Sequence, residues 1–530
     1  MKKIVSLKLL ALLIILSAGC QKFSELEKDE NRPTSVTPGL IFNGLAVSMY
    51  DGAWNQVQRW NQFSCCNYNY YGNQEYNWTA TGLNFTTLKN VVKMEEEAIK
   101  SGLPANNVYA TLGKFFRAFY YYKMTMLTGE LPLKQALDPT VLTPAYDTQK
   151  DIFKQILQWL DEANTGLGQL ISSGDNNLSG DIYFSNNLTQ WRKTVNAFKL
   201  RVLIALSKKE ADAELNIKQK FQAVLSDISN NPILTGNADN MQYEYNNQFN
   251  KYPINPDNYG FDATRYNMSA TWLNKLVDLK DPRVFFAAEP AGSKLKAGLL
   301  PTDHNAFAGA SSAQDLADMS TRAGTDNGAA YLPGEYSFFG RKRYYTGYTA
   351  EPTIVVGYPE MCFNIAEAIN RGWMGGNAED WYKKGIQAAH SFFGVKEGAN
   401  DVYFVKPGAA PTAPDAYNKY TVNFNFNSYY TQPPVQYAGN NVNGLNQLLT
   451  QKYLAFFQNS GWEAYFNYRR TGVPVFLQGG AGTGNSGVIP KRFQYPSSET
   501  STNGANLATA LQRQFGGTDN INAEMWVIKN

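Results

Sequence analysis

VYATLGKFFRAFYYYKMTMLTGELPL, residues 108–133, is the stretch that decides the fold class. Val108, Leu112, Phe115, Phe116, Phe119 and Met126 recur on one side at helical spacing. Gly129 and Pro132 then stop the run, as a helix end requires. Reading outward, helical patterns come in pairs. Residues 84–101 lead to a break at Gly102-Leu103-Pro104, directly before the quoted helix. A second pair spans 147–172 and 188–210, with Ile152, Ile156 and Leu160 followed by Val195, Phe198 and Val202. A further helix covers 212–229, and another pair, 359–371 and 378–393, is split by Gly375-Gly376. A last long helix is predicted over 444–468. Paired helices of this length predict a mostly α fold, a solenoid of tetratricopeptide-like helix pairs. The repeats are not strict. Long Asn-, Gly-, Tyr- and Pro-rich stretches at 230–265, 290–350, 396–443 and 472–530 interrupt them as irregular inserted loops. Loops of that length tend to be functional or locally structured.

The N-terminus carries an address. Lys2, Lys3 and Lys8 precede and flank an aliphatic run from Leu9 to Leu16, and Ser17-Ala18-Gly19 stands before Cys20. The pattern is a signal peptide over residues 1–19, too short in its apolar part to span a bilayer. A cysteine after such small residues is the one that becomes acylated in bacterial lipoproteins, although Ser17 stands where their usual motif has Leu. Cys20 is therefore the expected lipidation site, and residues 20–37 form a polar tether to a single domain over 38–530. The acids Glu25, Glu27, Asp29 and Glu30 follow the cysteine closely, an arrangement that favours the outer face. Membrane association is expected through the lipid alone.

Charge and cysteine content exclude other classes. The chain has 48 Lys+Arg against 45 Asp+Glu, and the leader holds three lysines and no acid. Without it the balance is even, so nothing electrostatic calls for nucleic acid or an anionic membrane surface. Apart from Cys20, the cysteines are Cys65, Cys66 and Cys362, with no spacing of a zinc site or a disulfide framework. Stability must come from a large core.

The densest constellation lies between residues 50 and 78. Tyr50, Trp54, Trp60, Phe63, Tyr68, Tyr70, Tyr71, Tyr76 and Trp78 alternate with Asp51, Asn55, Asn61, Asn67, Asn69, Asn73 and Asn77. Sugars present an apolar C–H face and a hydroxyl edge, so flat rings beside amides and carboxylates suit them. Each ring taken singly is better explained as core. The cluster taken whole favours a site, because core rings need no such supply of asparagines. The candidate ligand contacts are Asp51, Trp54, Asn55, Trp60, Tyr70, Tyr71 and Trp78. On this reading Trp54→Ala or Trp78→Ala weakens binding and spares stability. A second candidate is the basic aromatic run Arg341–Tyr348, in which Arg341, Tyr344 and Tyr345 would contact ligand; a solvated basic turn explains it equally well.

Enzyme signatures are sparse. His304 and His390 are the two histidines, too few for histidine-rich metal or triad chemistry. There is no G-x-S-x-G elbow and no Walker A loop. Gly482-x-Gly484-x-x-Gly487 precedes Val488-Ile489-Pro490 rather than a helix, so it reads as a flexible loop. Carboxylate pairs for glycoside cleavage can lie far apart in a chain, and nothing singles one out. The expectation is a binding protein with no catalytic residues, no cofactor and no metal, with a surface glycan hydrolase as the rival.

Several segments, in order, resemble the SusD/RagB family of outer-membrane nutrient-binding lipoproteins. They are Ala110–Tyr122 around Arg117, with Gly129–Leu133 behind it; Gly357-Tyr-Pro-Glu360 leading to Glu367; Gln451-Lys-Tyr; Trp462-Glu-Ala-Tyr; Tyr468-Arg469-Arg470-Thr-Gly-Val-Pro474; and Ile489–Pro496 with Glu499. The resemblance implies tetratricopeptide-like pairs packed against a large irregular region. It also implies a SusC-like TonB-dependent outer-membrane transporter as partner, over which the lipoprotein sits as a lid. Members bind oligo- or polysaccharides or, in some cases, peptides and other nutrients. The Arg469-Arg470 and Glu360–Glu367 motifs fit a structural role, tying helices to loops.

Overall fold

The computed structural model describes residues 35–325 and 332–530. The signal peptide over 1–19, Cys20 and most of the tether 20–37 lie outside the described residues. The longer helices are α1 (Pro38–Val47), α2 (Phe85–Lys100), α3 (Val108–Thr128), α4 (Gln149–Ser172), α5 (Leu188–Ala205), α6 (Ile217–Ser226), α7 (Tyr358–Asn370), α8 (Ala378–Phe393), α9 (Val442–Ala455), α10 (Glu463–Thr471) and α11 (Ser497–Phe515). The fold is mostly α, and the strands form only two-stranded ribbons.

The quoted stretch becomes α3. Asn107 caps it by accepting from the Ala110 N–H, and Gly129 ends it at φ 111°, a conformation that favours glycine. Its neighbours follow from chain order: α3 packs on α2 and α4, and α4 packs on α5. The second block, α7 with α8 and α9, docks on the first through α5. One hydrophobic core runs from Phe42 to Ile528, and ring edges interlock at its start, where Trp191 meets Phe42 and Phe115.

Buried ion pairs join the two blocks. Arg201 on α5 donates to Glu360 on α7, and Arg470 on α10 donates to Glu367 on α7. Burial alone would raise the Glu367 carboxyl, but Arg470 and Arg371 beside it hold it well below the usual range. Burial pushes the Lys452 ammonium down to about 8 and the Glu463 carboxyl up to about 7, with Arg201 opposing the latter. The motif residues thus tie helix to helix. Arg469 ties α10 both to the loop at Lys491 and to α3, donating to the Lys491 and Met126 carbonyls.

Three expectations need revision. The helix predicted over 444–468 is broken between α9 and α10, where Gln458, Ser460 and Gly461 take φ of 59°, 56° and 54°. Tertiary contacts fix that turn: Gln458 accepts from the Trp54 N–H at 2.7 Å, and a Cβ on Gly461 would stand 2.4 Å from Asp51 Oδ2. The 472–530 stretch contains α11, whose apolar burial is limited to Leu507, Ala510 and Leu511, too little for a clear helical period. The 396–443 stretch contains a long hairpin that pairs Gly398–Val405 with Tyr417–Phe424.

Candidate functional site

A short antiparallel ribbon builds the candidate site. Ser64–Cys66 pairs with Tyr266–Met268 in the register Ser64↔Met268, Cys65↔Asn267, Cys66↔Tyr266. The pairing places the chain leaving Cys66 beside the chain arriving at Tyr266, so loop 67–73, with a 3-10 turn at Asn69–Tyr71, and loop 259–265, which opens with the short helix Tyr259–Asp262, emerge together. Asn67 stitches them at the root: its N–H donates to the Arg265 carbonyl at 2.8 Å and its amide to the Thr264 carbonyl at 3.0 Å. Farther out, Tyr71 Oη donates to the Phe261 carbonyl at 2.7 Å. Gly72 turns the first loop back at φ 111°, close over the Arg59 guanidinium. Arg59 and Gln56 then hold the Asn73 carbonyl.

The tips of these loops carry rings into water. Tyr70 is 83% exposed, Phe261 71% and Tyr68 46%. Tyr71 is half-buried among them, 5.2 Å from Tyr70 and 6.1 Å from Tyr266 between ring centroids. The Arg265 guanidinium lies over the Tyr68 ring at 4.6 Å. Exposed rings in one patch are unusual on a soluble surface and mark contact sites for other molecules. The Tyr70 and Tyr71 rings meet edge to face at 80° and those of Tyr68 and Tyr71 tilt at 46°, with Asn69 and Asn73 in the same segment.

The residues predicted from sequence divide into two layers. Tyr70 and Tyr71 belong to the exposed platform. Trp54 does not: it is buried, its indole N–H donates to Tyr252 Oη at 2.8 Å, and its ring packs on Phe339, Tyr344 and Phe457. Trp78 is buried and stacks on Phe493 at 4.1 Å, while half-buried Trp60 stacks on Trp462 at 5.5 Å. Trp54 and Trp78 are therefore buried rather than exposed to a ligand, which counts against the expectation that replacing them spares stability. Asn55 caps the short helix Gln56–Trp60 by accepting from the Gln58 N–H. Nor is Arg341–Tyr348 a solvated turn throughout, since Arg341, Tyr344 and Tyr345 are fully buried.

Arg341 and Tyr345 instead support the second loop from beneath. Arg341 donates to the Ala263 carbonyl at 2.7 Å, and Tyr345 Oη donates to Asp262 Oδ1 at 3.2 Å. Burial pushes the Asp262 carboxyl up to about 6, against the hydrogen bond from Tyr345 and the charge of Arg341. Asp51 is separate from the platform. It pairs with Lys123 at 2.8 Å in a cleft shared with Tyr50, Tyr122, Ser460 and Glu463. That cleft leaves about 30 Å³, room for a water and not for a sugar ring. Phe261 and Arg265 could not be found by sequence reading. They lie in the irregular 230–265 stretch, and only the long-range ribbon brings them to Tyr70.

Comparison with known proteins settles the family. A family described as starch-binding and associating with the outer membrane matches residues 30–496. The chain belongs to the SusD-like family. A SusD homologue from Bacteroides fragilis is 28% identical, with a TM-score of 0.78 over 93% of this chain and 100% of that one. Another from the same species is 30% identical, with a TM-score of 0.75 over 94% and 100% of the two chains. A chitin-binding SusD homologue from Flavobacterium johnsoniae shares the fold at 19% identity, with a TM-score of 0.66 over 93% and 99%. The search of curated proteins found no match. The SusD-like assignment agrees with the ordered motifs in the sequence and with the mostly helical architecture. Among the described residues no helix is long and apolar enough to cross a membrane.

Proposed function

We propose that this SusD-like protein is a cell-surface saccharide-binding lipoprotein, anchored at Cys20, that captures its ligand without turnover for a SusC-like TonB-dependent transporter. The observation that carries the reading is the open ring platform of Tyr68, Tyr70, Tyr71 and Phe261. Most rings of the 50–78 cluster pack inward, and these face water on loops held rigidly at their roots. Ring faces would take the apolar side of a sugar, and Asn69, Asn73 and Arg265 would meet its hydroxyl edge. An open surface suits an internal stretch of a polymer better than a chain end, because among the described residues nothing walls these rings off. The matched family's starch description and the chitin-binding relative support saccharide as the ligand class.

The test is a binding screen of the purified mature protein against plant, host and microbial polysaccharides and peptides, with reducing-end release followed in the same wells. Binding without release, weakened at least tenfold in a Tyr70→Ala/Phe261→Ala variant, is the expected result. Release of reducing ends would make the protein a hydrolase. Tight peptide binding with no saccharide binding would move the ligand class.

A further inference from the structure

We infer that the platform selects saccharides that carry negative charge, with Arg265 meeting a carboxylate or sulfate on a sugar whose ring lies against the tyrosines. The inference rests on the platform being the binding site. It comes from how the arginines of the molecule are partnered. Arg201 is paired with Glu360, Arg283 with Asp281, Arg343 with Glu351 and Arg492 with Asp519. The two arginines at the platform are not paired in this way, a property they share with Arg192 and Arg469, which donate to neutral acceptors away from it. Arg265 lies over the Tyr68 ring and forms no ion pair among the described residues. Arg59 is buried and donates only to neutral acceptors, the Gln56 amide oxygen and the Asn73 and Trp54 carbonyls, with the Tyr266 ring 6.0 Å away.

The surroundings hold little to compensate them. Residues 52–74 contain no Asp or Glu. On the facing loop, Asp262 is buried and engaged by Tyr345, and Asp257 is taken by Lys251 at 2.5 Å and by Tyr348. Among the described residues the platform thus has one partly exposed cation, Arg265, with Arg59 buried, and the first carboxylate after Asn73 is Glu75, held by the Asn77 amide.

Chemistry then narrows the ligand. A guanidinium stacked on a tyrosine is fixed in orientation, and its N–H edge remains available for two parallel bonds to a carboxylate or sulfate. Neutral hydroxyls could also accept from it, but they would cover the cation without matching its charge. Stacking on Tyr70 or Tyr71 and an anion on Arg265 are compatible within one or two sugar units. Buried Arg59 adds a favourable field from below without touching the ligand.

The experiment compares matched pairs on the purified mature protein by calorimetry: oligogalacturonate against its methyl ester, and dextran sulfate against dextran. The expected result is at least tenfold tighter binding of one acidic member than of its neutral partner. That preference should weaken severalfold between 50 and about 300 mM NaCl and vanish in Arg265→Ala. Arg265→Lys should recover part of it, keeping the charge but losing the fork. Whether the uronate or the sulfate responds identifies the anion. Equal binding of acidic and neutral partners, sensitive to Tyr70→Ala and indifferent to Arg265→Ala, would overturn the charge selection and leave the platform standing. Acidic binding indifferent to both variants would place the anion elsewhere and overturn the inference. Failure of every saccharide, in a protein whose variants melt like the parent, would remove the platform reading and this inference with it.

Discussion

The inner and outer rings of residues 50–78 share a composition and differ in what their polar tips meet. Trp54 lies inside, where Tyr252 takes its indole N–H and three other rings cover its faces. Tyr70, sixteen residues on, has one edge against Tyr71 and the rest in water. The first is a buried strut, and the second is exposed and proposed as a contact surface. Aromatic density alone therefore locates a region of importance without assigning roles within it, because the same ring fills a core and stacks on a sugar with equal ease.

The comparison can be broken most directly at the strut. Trp54→Ala is expected to cost about 3–5 kcal/mol of stability, the usual range for a buried tryptophan, and thermal melting would show it. An unchanged melt with lost affinity would move Trp54 to the outer layer. The scaffold should also respond to pH. Burial holds Glu463 protonated up to about 7 against an ordinary 4.5, so in that window the unfolded chain has released a proton that the folded one keeps. The contribution is fully present below 4.5, falls as pH rises through 7 and then levels off. Glu463→Gln should accordingly raise the melting temperature by a few degrees at pH 7.5 relative to the parent and change it little at pH 4.5. Equal shifts at both values would refute the assignment.

Between strut and surface lies the support layer. Tyr345→Phe removes one bond from buried Asp262 and should cost about 1–2 kcal/mol. It should also weaken saccharide binding severalfold by loosening the loop that carries Phe261, a joint loss that melting and titration would separate. The smallest stability effect belongs to the outermost ring. Tyr70→Ala should leave melting within about 0.5 kcal/mol of the parent while lowering affinity about tenfold. Destabilisation by Tyr70→Ala comparable to that of Trp54→Ala would erase the two-layer distinction.

Much of the scaffold was legible because its signals are local. The spacing of Val108, Leu112, Phe115 and Phe119 needs no distant information to predict a helix, and Gly129 with Pro132 marks its end. Helix pairs follow from short connections between such segments. Where local signals are weak the reading lost detail. In α11 only a few apolar side chains are buried, and the break between α9 and α10 is imposed by Asp51 and Trp54, some four hundred residues earlier.

By itself, then, the sequence determined the helical class and the family motifs. Only the tertiary structure decided which rings face water. Exposure depends on what the rest of the chain stacks against each residue: Phe339 and Phe457 cover Trp54, Phe493 covers Trp78, and among the described residues nothing comparable covers Tyr70. The pairing of Ser64–Cys66 with Tyr266–Met268 brings Phe261 and Arg265 to that surface across two hundred residues. Such a contact is specified by complementarity between two distant segments, and neither segment carries a local sign of it.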